Sequence, residues 1–162
     1  MAHSIRMACI AVGSGGVLKW DLVRRNGMRE VTVDGFVRES PPSIKRHLTP
    51  EQVVEYEGSF EVDRVEAAGE ATFVTATGPG LSMTLRFETR EGRLYYTQEG
   101  ESGPFAAMET WIDVEPENEG SRVRFTSVVK LSAPLPFGDR IAAWKRRGEL
   151  KRAIRSLRED VE

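Results

Sequence analysis

A chain of 162 residues, 40% hydrophobic and 30% charged, suits a single domain with a sizeable buried core. Its formal net charge of -2 argues against a dedicated nucleic-acid binder, and no run approaches the ~18 apolar residues of a membrane span. With Cys9 as the one cysteine and His3 and His47 as the two histidines, neither an intrachain disulfide, a thiolate metal cluster nor a histidine-based metal site or triad can be assembled. No metal and no cofactor are expected.

Residues 1–27, MAHSIRMACIAVGSGGVLKWDLVRRNG, differ in character from the rest. The apolar run after Arg6 sits at the short end of the ~7–15 residues of a signal-peptide core. The segment therefore reads as a poorly ordered extension, or as a start assigned too early with Met28 the true beginning. Its GSGG has neither the Lys-Ser/Thr ending of a phosphate loop nor GxGxxG spacing.

From Met28 the punctuation is regular. REVTVDGFVR alternates Val31 and Val33 with charged neighbours and predicts a strand. Ser40-Pro41 and Thr49-Pro50 each place a capping side chain before a proline whose missing N–H costs a helix start nothing, and Gln52 completes a capping box with Thr49. Two short helices follow, the second closed by Gly58. A period of two then predicts strands over 59–66, 70–77, 81–90, 93–100, 106–115 and 121–131, separated by AAGE, GPG, EG, SGP and PENEG. Connections this short make an antiparallel meander. At the end, Ile141, Trp144, Leu150, Ile154, Leu157 and Val161 recur at helical spacing and predict one long amphipathic helix.

Matching apolar faces sets the register, because a slip of one residue would turn every side chain over. With Glu91-Gly92 as a turn, Phe87 opposes Tyr96 and Leu85 opposes Gln98. Across PENEG, Thr110 opposes Ser127, Ile112 opposes Phe125 and Met108 opposes Val129, which sets Asp113 against Arg124 and Glu115 against Arg122 on the outer face. Tyr96 then lies beside Thr110, Gln98 beside Met108, and Tyr95 beside Trp111 outside. Two rows result, Phe87-Tyr96-Thr110-Ser127 and Leu85-Gln98-Met108-Val129, with polar atoms in the middle of an apolar surface. Either those atoms bond one another as a satisfied patch of core, or they line a small-molecule pocket. One helix, carrying Gly148 at its middle, is scant cover for a curved sheet of this size.

The element order, with GPFAAMETWIDVEPENEGSRVRF as a strand pair and RIAAWKRRGELKRAIRSLRE as a terminal helix, resembles the helix-grip fold of the SRPBCC/START superfamily, which includes polyketide cyclase/dehydrases and coenzyme Q-binding proteins. LTPEQVVEYEG resembles its variable region after the first helices. The resemblance covers residues 28–162 and is nearest to uncharacterised prokaryotic members. It implies an α+β domain: a curved seven-stranded antiparallel sheet, two short helices after the first strand, and a long C-terminal helix over the concave face. It also implies a cavity between sheet and helix for a hydrophobic or amphipathic molecule, with no universal catalytic signature to carry across.

The leading expectation is binding or transport of a lipid, quinone or polyketide-like molecule by a cytoplasmic monomer or homodimer, with no nucleic-acid partner. The expected lining is Met83, Leu85, Phe87, Tyr96, Gln98, Met108, Thr110, Phe125, Ser127, Trp144 and Gly148. The alternative is a polyketide cyclase/dehydratase-like enzyme using the same cavity, with Tyr96 as proton donor or acceptor. Against it, Glu99, Glu109 and Asp113 fall on the outer face in this register. The terminal helix also carries Arg140, Lys145, Arg146, Arg147, Lys151, Arg152, Arg155 and Arg158 as a basic side. That side is either a solvated face or a weak contact with an anionic membrane surface.

Overall fold

A computed structural model of the chain describes residues 28–132 and 135–162. The extension or start-site reading of residues 1–27 lies outside the described residues. Strand β1 (Arg29–Val37) is followed by helices α1 (Pro41–His47) and α2 (Pro50–Glu57). Then come β2 (Glu61–Ala68), β3 (Ala71–Gly78), β4 (Leu81–Arg90), β5 (Arg93–Glu99), β6 (Phe105–Glu117) and β7 (Gly120–Leu131), and helix α3 (Gly138–Val161). The seven strands form one antiparallel sheet in the order β1-β7-β6-β5-β4-β3-β2.

The caps are those the sequence specifies. Ser40 Oγ accepts from the Ser43 N–H, Thr49 Oγ1 accepts from the Gln52 N–H, and Gly58 closes α2 in the left-handed conformation. The register also agrees: Phe87 pairs with Tyr96, Tyr96 with Thr110, Thr110 with Ser127 and Ile112 with Phe125. Asp113 lies opposite Arg124 and Glu115 opposite Arg122, yet the ion pairs form elsewhere. Arg122 holds Glu117 and Asp34, and Asp113 meets Arg93. Long side chains on a twisted outer face reach diagonal neighbours as readily as opposite ones.

All three helices lie on one face of the sheet. Helix α1 touches β6, α2 touches β2 and β3, and α3 crosses β1 and β7. The approach of α3 to β1 is close at Gly35, where a Cβ would lie 2.7 Å from Ile154 Cγ2. Between helices and sheet lies one apolar core, in which Val33, Val37, Ile44, Val53, Phe87, Phe125, Leu150 and Leu157 are buried. On the outer face the Tyr95 and Trp111 rings meet at 4.5 Å with Arg90 over the former and Arg93 over the latter, so guanidinium planes cover this pair.

Candidate functional site

The period of two along β4 to β7 turns Met83, Leu85, Phe87, Tyr96, Met108, Thr110, Phe125 and Ser127 to the helix-covered face, and all are buried. Phe87 and Tyr96 stack at 4.6 Å with 18° between ring planes. The expected row of polar groups therefore exists, and its Thr110 and Ser127 hydroxyls lie 2.8 Å apart.

What meets this row is a guanidinium. Arg146 of α3 is 2% exposed and reaches into the middle of the sheet. Its Nε donates to Ser127 Oγ at 3.1 Å. Its Nη1 donates to Glu57 Oε2 at 2.8 Å and Glu149 Oε2 at 3.0 Å. Its Nη2 donates to Glu57 Oε1 at 2.9 Å and contacts the Tyr96 and Thr110 hydroxyls. The Tyr96 phenol in turn donates to Glu57 Oε1, and Ser59 Oγ donates to Glu149 Oε1 at 2.7 Å. All five N–H groups of the arginine are thereby engaged.

Glu57 is the last residue of α2, directly before the Gly58 turn. The position that ends the helix thus delivers the carboxylate to the sheet. Burial acts to lower the pKa of the Arg146 guanidinium, but Glu57, Tyr96 and Glu149 more than reverse this and hold it well above the ordinary arginine value. Burial, opposed by Arg146 and reinforced by Glu57, likewise holds the Tyr96 phenol well above its ordinary value. The phenol is neutral at physiological pH, and its proton is committed to Glu57. Two carboxylates share one buried cation, an arrangement that fixes the helix on the sheet more than it stabilises the fold, because desolvating the charges offsets most of their attraction.

A hollow remains on the same face at the end nearest α1. It has a volume of about 420 Å3, within the ~300–1,000 Å3 common for small-molecule sites. Leu48 from the end of α1 and Leu94, Ile112 and Val114 from β5 and β6 give it an apolar floor, and Lys45, Arg93, Asp113 and Glu115 stand around it. Arg93 is held by Glu91 and Asp113, whereas among the described residues no carboxylate pairs with Lys45.

The eleven residues expected as lining divide into three sets. Eight strand residues share the covered face, and three of them, Tyr96, Thr110 and Ser127, are bound by Arg146 rather than facing empty space. Gln98 leaves the ladder before reaching Met108 and holds the following loop, its Nε2 donating to the Phe105 carbonyl at 2.8 Å. Trp144 and Gly148 lie on the far side of α3, Trp144 at 77% exposure. The cause is helix phase. The buried stripe of α3 runs Ala142, Arg146, Glu149, Leu150, Ala153, Ile154 and Leu157, so the phase expected from Ile141 and Trp144 is turned outward, and Arg146 leaves the basic side for the core. Counting back by three and four from Leu157, Ile154 and Leu150 would have found it.

No family model matches the chain, and no curated protein matches it. Solved structures do. A protein of Thermus thermophilus superposes with a TM-score of 0.65 at 20% identity, over 82% of this chain and 97% of that one. A START superfamily protein from Mycobacterium smegmatis gives 0.64 at 14%, over 83% and 96%. The Zhui aromatase/cyclase from a Streptomyces species gives 0.62 at 13%, over 83% and 91%. At identities this low the likeness shows the fold alone: the seven-stranded antiparallel sheet, two short helices after the first strand and long terminal helix of this protein form a helix-grip fold, which superposes on these structures, a START superfamily protein among them.

Proposed function

We propose that this protein binds a small hydrophobic or amphipathic molecule, of lipid, quinone or polyketide-like size, in the hollow between α1 and the sheet. The observation that carries the reading is the 420 Å3 volume floored by Leu48, Leu94, Ile112 and Val114 on the covered face. Burying ligand surface there supplies about 25 cal/mol per Å2. Lys45 and Arg93 stand around the hollow together with Asp113 and Glu115, so the ligand that fits best has an apolar body and a polar head.

A cyclase/dehydratase reading has one observation in its favour, the carboxylate–phenol pair of Glu57 and Tyr96 on the covered face. Arg146 occupies both groups and neither lines the hollow, while Glu109 is exposed on the outer face. Binding is therefore the function the geometry supports best. The test is native mass spectrometry and organic extraction of protein purified from its own organism, beside titration with the amphipathic anion anilinonaphthalene sulfonate. Leu94→Trp, which fills the hollow, should abolish a co-purifying ligand and weaken probe binding, and Lys45→Glu should weaken the probe as well. Unchanged binding in both variants would remove the hollow as the site.

A further inference from the structure

The outer side of α3 is amphipathic in its own right. Phe137, Ile141 and Trp144 are 73%, 60% and 77% exposed, and Leu135 just before the helix is 61% exposed. Their spacing of four and three residues, continued by Gly148, puts them in one stripe opposite the buried positions Ala142, Arg146, Leu150 and Ala153. At ~100° per residue, Arg140, Arg147 and Lys151 fall on one flank of that stripe and Lys145 on the other. All four are exposed, and among the described residues none pairs with a carboxylate. The two acidic residues of this half of the helix turn inward. Asp139 accepts from the Leu131 N–H, and Glu149 is held by Arg146 and Ser59. Beside Trp144 the surface dips into a depression of about 310 Å3, edged by Lys145, Arg147, Lys151 and Arg152 and lined also by Ser59 and by Glu149, whose carboxylate is already engaged by Ser59 and Arg146; Gly148 there has no neighbour within 4 Å of a Cβ position.

We propose that this face docks on an anionic phospholipid bilayer. Leu135, Phe137, Ile141 and Trp144 enter the headgroup–acyl boundary, and a lipid phosphate sits in the depression at Gly148 among the cations. Aromatic side chains with a polar edge are at home at that depth, and cations around them attract the negative surface. Charge decides against the other occupants. A second copy related by a two-fold axis would set these cations against themselves. A nucleic acid would meet a protruding apolar stripe where its phosphates need contact. No described helix is long and apolar enough to cross a bilayer, so the contact is peripheral.

Sedimentation of the full chain with vesicles tests this. Vesicles of phosphatidylcholine containing phosphatidylglycerol should capture the protein, pure phosphatidylcholine should not, and added salt should weaken capture. Trp144→Ser should lower partitioning about tenfold. Lys145→Gln and Lys151→Gln should each lower it about fivefold. Equal capture by neutral vesicles, unchanged partitioning of Trp144→Ser, a dimer that Trp144→Ser dissociates, or retention on duplex DNA without vesicle capture would each overturn the proposal. Anilinonaphthalene sulfonate binding at the α1 hollow should be the same in Trp144→Ser as in the parent chain, which separates failure of this docking face from failure of the ligand site.

Discussion

The covered face of the sheet holds two neighbouring regions made of different material. At its centre, strand residues with hydroxyls meet a buried arginine and are closed off. At the α1 end, the apolar floor of Leu94, Ile112 and Val114 meets little and leaves a hollow with charged residues around it. Polar atoms on a greasy strand face suggest a wet or ligand-lined cavity, and here they mark the filled part instead. A buried hydroxyl must find a partner, and the partner supplied is a long side chain that fills the space while satisfying the hydrogen bonds. Apolar residues make no such demand, so an unfilled volume beside them is tolerated.

The contrast predicts unequal responses to mutation. The largest belongs to the centre. Arg146→Ala leaves Glu57 and Glu149 buried without their cation and should cost about 3–5 kcal/mol in chemical denaturation. Neutralising the partners as well, in Arg146→Met with Glu57→Gln and Glu149→Gln, should recover most of that loss. A triple variant as unstable as Arg146→Ala would mean the arginine acts through its hydrogen bonds to Ser127, Thr110 and Tyr96 rather than through charge.

Tyr96→Phe is next, at about 1–3 kcal/mol, because Glu57 loses a donor in a dry setting. The phenol also gives this region a pH signature. Its folded pKa lies above the unfolded value of ~10, so the folded state holds the proton more tightly. Its contribution is complete below that pH and is lost as pH rises further. Thermal unfolding should accordingly show a steeper alkaline decline in the parent chain than in Tyr96→Phe. Parallel curves would place the phenol in an environment indifferent to its charge.

How far the two regions could be read from the sequence follows from the range of the signal. The register of β4 to β7 was legible because apolar alternation is local and a one-residue slip is prohibitive, and the pairs Phe87–Tyr96 and Thr110–Ser127 came out of it directly. The C-terminal half of α3 was legible through Leu150, Ile154 and Leu157. In its N-terminal half the phase had to be carried back from those residues, since Arg146 and Glu149 carry no hydrophobic signal, Ala142 carries a weak one, and the exposed Ile141 and Trp144 imitate a stronger one. Arg146 is buried because of Glu57, 89 residues away in sequence, and a charge at the end of α2 looks like any solvated residue until the fold brings the two together. The hollow escapes the sequence for the converse reason: Leu48, Leu94 and Ile112 look like ordinary core, and only the position of α1 decides how much of them is covered.

The α1 end should be the more forgiving region. Leu94→Trp adds bulk where there is room, so its effect on stability should stay under about 1.5 kcal/mol while ligand and probe binding fall. A loss of about 3 kcal/mol, in the range of overpacking, would show the hollow to be tightly closed in solution and would erase the difference between the two regions.

Smallest of all is the effect expected outside the covered face. Trp144 is exposed and packs against no part of the core, so Trp144→Ser should move unfolding free energy by no more than about 0.5 kcal/mol. An aromatic side chain this large normally costs several times that when removed from a folded protein, because most are buried. Near-neutrality would show that Trp144 contributes to something other than folding, and a clear destabilisation would mean that the indole is covered in the free protein. The same measurement on Phe137→Ser and Ile141→Ser decides whether the outer stripe of α3 behaves as one surface. Three near-neutral changes on a basic helix, beside one severe change at Arg146 on its opposite side, would assign the two faces of α3 to different tasks, one holding the sheet and the other meeting a partner.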